Sequence, residues 1–318
     1  MPKITFAFCT YNRADRLATL VAAMRAQTCP IPFEILAINN NSGDNTTAVL
    51  TDLSRQPGPA LRWVLETTQG IVPARNRAIE ESLDSDILVF IDDDETPLPG
   101  LLQAVTEAIL NEGADCVGGP IMIDYGNYDR PPWLDQDLTG FLGALDHGDK
   151  PFWINNGSTP VWSGNVAYRM ALLRTHPDLR FDQRYNRAGA GIGGGSDAIM
   201  FRVFLERNFR IRYRPDMVIT HSVDAWKLKR SYFLKLHYRA GLRHGRFEQS
   251  AYPRNLFGVP SFMFRQALQK SVRALILWLT GQPGSVRQAM NASHVFGMMA
   301  GLHRRWKEQH KPAADRQR

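Results

Sequence analysis

The sequence predicts an α/β fold built on a mostly parallel sheet with helices on both faces. Apolar runs of strand length alternate with helix-period stripes through residues 4–123. The runs are apolar throughout, as in strands buried on both sides. Polar clusters TYNR (10–13), NNNSGDNT (39–46) and DDD (92–94) follow three of them, and ligands of open parallel sheets sit beyond the carboxyl ends of the strands.

ITFAFCT (4–10) reads as the first strand, and Leu17, Leu20, Val21 and Met24 mark one face of the helix behind it. EILAIN (34–39) is the second strand, with a helix from about Asp44 carrying Val49, Leu50 and Leu53. ALRWVLE (60–66) and the helix in IVPARNRAIEES (71–82) come next. DILVFID (86–92) is the fourth strand, and Leu98, Leu101, Leu102, Val105 and Ile109 stripe its helix; DCVGGPIMI (115–123) closes the set.

Residues 124–163 lack a regular pattern and are rich in rings: Tyr125, Tyr128, Trp133, Phe141, Phe152, Trp153 and Trp162. Such a segment reads as a functional loop or lid. Its rings either stack on sugars or pack beneath the loop. SGNVAYR (163–169) reads as a strand. Five glycines within 189–195 lead to Ser196 as an N-cap and a helix from Ala198 to Arg207. No GKS or GKT follows the glycines, so they are not a phosphate loop. FRIRYRPDMVITHSV (209–223) gives a further strand, ending in His221.

With 318 residues, 44% hydrophobic and 22% charged, one large or two modest domains are expected. Cys9, Cys29 and Cys116 lack metal-ligand spacing and read as reduced thiols of a cytosolic protein. The N-terminus reads as a strand, not a signal peptide, and no apolar run reaches the roughly 18 residues of a membrane span. Net charge is +7, unevenly spread. From Trp226 onward 18 basic residues face three acidic ones, net +15, while the first 225 residues carry 20 basic and 28 acidic groups, net −8. An acidic body with a basic tail suits an anionic surface.

Three groups invite chemistry. Asp92, Asp93 and Asp94 form an acidic turn before a helix, or they repel one another until a cation or ligand donors sit among them. Asp197 complements a helix dipole or does chemistry. His221 is structural or a ligand.

Together these segments resemble glycosyltransferase family 2 on the GT-A fold. The resemblance runs in order over roughly residues 3–240 through FCTYNRADRL, INNNSGDNT, GIVPARNRAI, FIDDDETP, SGNVAYR, GGGSDAIMFRV and YRPDMVITHSV. It implies a catalytic domain over 1–225, with a nucleotide-sugar half (1–123) and an acceptor half (124–225), and a basic helical region over 226–318. It implies that Thr10, Tyr11, Asn12, Arg13 and Asn39 hold the base and ribose, and that Arg75 approaches the diphosphate. Asp92 would face the ribose or donor sugar with Asp93 beside it. Asp94 and His221 would hold Mn²⁺ or Mg²⁺, and imidazole tilts the choice to Mn²⁺. Asp197 would be the base of an inverting displacement, with Trp162, Asn165, Gly194, Gly195 and Ser196 on the acceptor side. Asn39 stands where the family usually has Asp, which leaves a UDP-sugar favoured but the base open. Ser196 stands where Glu is common.

Beyond Trp226 the match thins. FGVPSFMFRQALQKSVRALILWLTG (257–281) interleaves apolar residues with Arg265, Lys270 and Arg273. It reads as an amphipathic helix in the membrane plane, or as one packed on the catalytic domain or a second subunit. The arrangement is similar to family 2 enzymes of bacterial polysaccharide assembly, which implies a glycan or lipid-linked acceptor and a cytoplasmic protein peripheral on the inner membrane face. No nucleic-acid motif accompanies the charge. Two rivals remain: nucleotidyl transfer, whose Gly-rich, Lys-containing N-terminal signature is missing, and a catalytically weak or inactive member that binds glycan or a partner.

Overall fold

The structure, a computed structural model, describes residues 1–188, 191–250 and 252–310. The chain divides into two compact units. One comprises the described residues of 1–128, 139–190 and 195–223; the other comprises those of 129–138, 191–194 and 224–318.

The first unit opens with β1 (Ile4–Thr10), α1 (Ala14–Arg25), β2 (Phe33–Asn39), α2 (Thr46–Ser54), β3 (Leu61–Leu65), α3 (Ile71–Glu80) and β4 (Ile87–Asp92). Every residue of β1 is buried, and β4 is buried up to Asp92. α1 buries Leu17, Leu20, Val21 and Met24, the face its sequence marks. β5 (Glu95–Pro97), α4 (Leu101–Thr106, extended by a π turn over Glu107–Asn111), β6 (Cys116–Gly118), β7 (Ile121–Asp124), β8 (Phe152–Ile154), β9 (Asn165–Arg169), α5 (Met170–Thr175), α6 (Ser196–Glu206), β10 (Ile211–Tyr213) and β11 (Ile219–Ser222) complete it.

Eight strands form the central sheet in the order β3-β2-β1-β4-β9-β6-β10-β8, and β5-β11-β7 form a small second sheet. β3, β2, β1 and β4 run parallel, as do β6 and β10; β9 and β8 run against their neighbours. The expected mostly parallel α/β sheet is therefore present.

Two single-strand readings are corrected. Residues 115–123 break into β6 and β7, and residues 209–223 into β10 and β11. Each run leaves the large sheet and enters the small one. The two steps cross at Gly119, where any Cβ would overlap the carbonyl of Met217. Ser196 is also not the N-cap: Gly195 precedes α6, and Ser196 is its first residue, 1% exposed.

The second unit is helical: α7 (Arg230–Arg243, continued by a π turn over His244–Glu248), α8 (Ser261–Leu279) and α9 (Ser285–Gln309). α7 and α9 meet through glycines. Gly241 and Gly245 lie against the backbone of His294 and Met298, while Gly297 and Gly301 lie against that of Tyr238 and Leu242. A Cβ at any of the four would strike a carbonyl, so GLRHG and GMMAG are paired close-approach surfaces. α8 packs Met263 and Ala267 into a cluster with Val295 and Leu302. Phe233 is fully buried and takes Trp133 edge-on, with Arg230 over the Trp133 ring. Among the described residues no helix is long and apolar enough to cross a membrane.

Candidate active site

Parallel register aligns the carboxyl ends of three strands, with Thr10 opposite Asn39 and Cys9 opposite Asp92. Antiparallel β9 starts where β4 ends, pairing Asn165 with Ile91, so the turn before it joins the same edge. β11 pairs His221 with Glu95 across the small sheet. Topology thus gathers residues more than 200 positions apart along one rim.

Asp92 is held from two sides. The guanidinium of Arg75 donates to Asp92 Oδ1 at 2.9 Å. Burial opposes charge on Arg75, but the carboxylates of Asp92 and Asp197 overcome it and hold the guanidinium well above its ordinary range. Arg75 is 7% exposed and also covers the Phe181 ring. From the other side, the backbone N–H of Asp92 donates to Glu95 Oε2 at 2.7 Å. Burial, then the charges of Asp92 and Asp94, push the Glu95 carboxyl well above the usual range. Gly164 lies beside it, where a Cβ would displace that carboxyl. Sequence reasoning missed Glu95; the signal was a fourth carboxylate directly after the triplet.

Asp94 is fixed through its backbone: its carbonyl accepts from Ser222 N–H at 2.8 Å. Its Oδ2 lies 3.4 Å from Nε2 of His221. Asp93 is pushed up to about 7 by burial and by Asp94, against the opposing pull of Thr10 and Arg13. Among the described residues no three His, Cys, Asp or Glu side chains converge as a complete metal cage. The Asp94–His221 pair still fits a divalent ion that takes its remaining ligands from substrate phosphates and water. Asp197 lies in the first turn of α6, its Oδ1 accepting from Ala198 N–H at 3.0 Å, and its charge reaches Arg75.

The asparagine-rich loop is structural to a degree the sequence did not reveal. Asn39 is wholly buried; it donates to the Thr47 hydroxyl and accepts from Ser42 N–H. Both ends of the amide help to shape the loop. Asn40 donates to the carbonyls of Glu66 and Thr68 and accepts from Gly70 N–H. Asn12, with left-handed backbone (φ 53°), accepts from Gly43 N–H and donates its own N–H to Ser42. The rim of β1 is thereby laced to that of β2. Thr10 is buried, while Tyr11 and Arg13 are half-buried.

On the acceptor side, Asn165 is 1% exposed and gives its amide to the carbonyls of Pro120 and Met217. Its position ties β9 to the crossing turns. Trp162 packs against the core. Gly195 and Ser196 belong to the first unit and Gly194 to the second; Gly189 lies outside the described residues. Two rings of the irregular segment have partners in the first unit: Phe152 lies against Tyr213, and the exposed Trp153 lies beneath Arg210 and Arg212.

The description "Glycosyl transferase family 2" matches residues 5–176, more than half of the chain. The chain belongs to glycosyl transferase family 2. The transferase is 25% identical over 245 residues to the succinoglycan biosynthesis protein ExoM of Rhizobium meliloti (strain 1021), covering 76% of this chain and 74% of that protein. It is 30% identical over 128 residues to the glycosyltransferase AglE of Haloferax volcanii, covering 40% of this chain and 42% of AglE. Among solved structures it is similar to the mannosyltransferase PcManGT from Pyrobaculum calidifontis in complex with GDP-Man and Mn²⁺, with TM-score 0.58, 15% identity, and 95% of this chain and 87% of that one covered. It is also similar to S. aureus TarS 1–349 in complex with UDP-GlcNAc, with TM-score 0.52, 13% identity, and coverage of 96% and 92%. The likeness at this identity establishes the fold: the transferase has the GT-A architecture, with a helical C-terminal part.

Proposed function

We propose that this protein is an inverting glycosyltransferase that moves a sugar from a nucleoside diphosphate donor to a hydroxyl of a glycan or lipid-linked acceptor. The observation that carries this reading is the shared rim, on which Asp92, held by Arg75, the Asp94–His221 pair and Asp197 stand together at the carboxyl edge of the sheet. The likeness to a succinoglycan biosynthesis protein supports a place in cell-surface polysaccharide assembly. The donors held by the two structural neighbours, GDP-Man and UDP-GlcNAc, support a sugar nucleotide; a UDP-sugar is the favoured donor.

Inversion needs no protein nucleophile. Asp197 takes the proton of the acceptor hydroxyl. That oxygen then bonds to the anomeric carbon as the bond to the diphosphate breaks, and the electron pair leaves on a phosphate oxygen. Arg75 orients Asp92 toward the ribose or donor sugar. Asp94 and His221 would hold Mn²⁺ or Mg²⁺, which neutralises charge on the departing diphosphate. Thr10, Tyr11, Asn12, Arg13 and Asp93 border the nucleotide, and the buried Asn39 acts through the loop it shapes. Ser196 and Gly195 set the start of α6 and so the position of Asp197; Trp162, Asn165 and Gly194 would belong to the acceptor side. The catalytic domain would span 1–225 and the basic helical region 226–318, working at the inner face of the cell membrane.

The test is nucleoside diphosphate release from a panel of sugar nucleotides, with Mn²⁺, Mg²⁺ or EDTA. Metal-dependent release from one donor, lost in Asp94→Ala, is the expected result. Donor binding absent in calorimetry across the whole panel would overturn the reading and leave a glycan- or partner-binding protein.

A further inference from the structure

α8 has one packed face and one uncovered face. Met263 and Ala267 join the cluster with α9. Phe264, Leu268, Val272, Leu275 and Leu279, spaced by four, four, three and four residues, form a stripe along the other side. Their exposure runs from 46% to 68%, and Trp278 beside them is 63% exposed. This is a contiguous run of large apolar side chains on a single helix, and such runs mark interaction surfaces.

The charge around the stripe selects its occupant. α8 contains no Asp or Glu, and between Glu248 and Glu308 the chain has eight Lys and Arg and no acidic residue. Arg265 and Arg273 are exposed on the flank of the stripe. A second copy docked through this face would bring like charges together with no carboxylate on α8 to pair them. An anionic bilayer supplies both missing partners, headgroups for the arginines and acyl chains for the stripe. α8 is too polar to cross that bilayer, so it must lie along it.

We propose that α8 seats this protein in the plane of an anionic lipid bilayer, with Phe264, Leu268, Val272, Leu275 and Leu279 in the acyl boundary and Arg265 and Arg273 at the headgroups. This specifies the membrane partner of the reading above, and its structural basis is α8 alone.

The experiment is flotation of the full chain with phosphatidylglycerol-containing vesicles and with pure phosphatidylcholine vesicles, at low and high salt. Binding to the anionic vesicles, weakened by salt, is expected. Arg265→Gln/Arg273→Gln should lower partitioning about 30-fold, which is roughly 2 kcal/mol at about 1 kcal/mol per basic residue. Leu268→Glu/Leu275→Glu should lower it more than tenfold with an unchanged circular dichroism spectrum. As a readout on unmutated stripe residues, brominated lipid should quench the Trp278 contribution, obtained by difference from Trp278→Phe. No flotation with anionic vesicles, or no such quenching, overturns the proposal. So does a dimer in light scattering that Leu268→Glu/Leu275→Glu splits while lipid binding is absent. Nucleoside diphosphate release from the same preparations separates the two readings: turnover without flotation sinks only this one, and flotation without donor binding sinks only the transferase.

Discussion

The two units solve the problem of holding helices in place by opposite means. The first buries apolar side chains on both faces of a sheet and sets the Arg75–Asp92 pair at one rim. The second draws α7 and α9 together until glycine meets backbone, and leaves the apolar stripe of α8 outside. Side-chain burial in the first unit stabilises in proportion to area. Backbone contact in the second gains dispersion and weak Cα–H···O interactions over a short distance, and one added methyl group is enough to destroy it. The first unit therefore tolerates conservative core changes, and the second does not tolerate them at its glycines.

The largest expected effect belongs to the first unit and leaves the second untouched. Asp197→Asn removes the base but keeps size and helix start, so kcat should fall by about 10²- to 10⁴-fold while donor binding holds. Nucleoside diphosphate release with calorimetry on the same sample checks both. An equal loss of donor affinity would mean that Asp197 serves Arg75 rather than the acceptor.

Next comes the glycine interface. Gly245→Leu places a side chain where a Cβ already overlaps the Met298 carbonyl, and no rotamer avoids that clash. A loss of at least about 3 kcal/mol is expected, seen as an early unfolding transition in calorimetry. Phe264→Leu, on the exposed side of the same unit, should shift nothing. If both variants melt like the parent, the close-approach account of α7 and α9 is wrong.

Much of this was legible in the chain. β1, β2 and β4 are continuous apolar runs, and α1 repeats its apolar residues at helical period, so both elements could be read from local pattern. The aspartate triplet and Asp197 were legible because strand and helix ends expose them. The crossing at Gly119 was not: 115–123 and 209–223 each look like one strand, and the step between sheets depends on a chain segment about 100 residues away. The hydrogen-bond partners of the asparagines were not legible for a related reason. A buried Asn and a ligand-binding Asn look identical in sequence, and only the partners, Thr47 and Ser42 for Asn39, separate them. GLRHG and GMMAG were readable as small-residue motifs, but nothing local says that each is the other's partner.

Glu95 gives a finer test of the rim. Burial, Asp92 and Asp94 keep its carboxyl protonated far above the ordinary range, so Glu95→Gln retains both shape and charge state and should cost little. Glu95→Ala strips the acceptor from Asp92 N–H and opens space beside Gly164, for a loss of about 1–3 kcal/mol. Urea denaturation of the pair reads the difference. Equal losses would show that Glu95 is ionised in the folded protein and acts by charge.

The smallest effect is the most specific. One carboxylate, Asp44, serves the starts of two helices: Oδ1 accepts from Thr46 N–H in α2, and Oδ2 accepts from Ala14 N–H in α1. Slight burial works against its charge, but the hydrogen bonds from Thr46 and Ala14 outweigh it and lower its pKa. A carboxylate lowered on folding contributes stability above its unfolded pKa, near 4, and loses that contribution as pH falls through the folded value. The group is exposed, so solvent screens it and the pH term is small. Asp44→Ala should cost about 1 kcal/mol near pH 7, as for a lost helix cap, and the gap to the parent should narrow slightly as the pH drops below 4. Asp44→Asn should recover most of the loss, because its oxygen can still accept one of the two bonds and it does not titrate. Thermal melts from pH 3 to 7 would show this, and a gap that stayed constant across that range would mean that the carboxylate's charge plays no part in joining β1's rim to β2's.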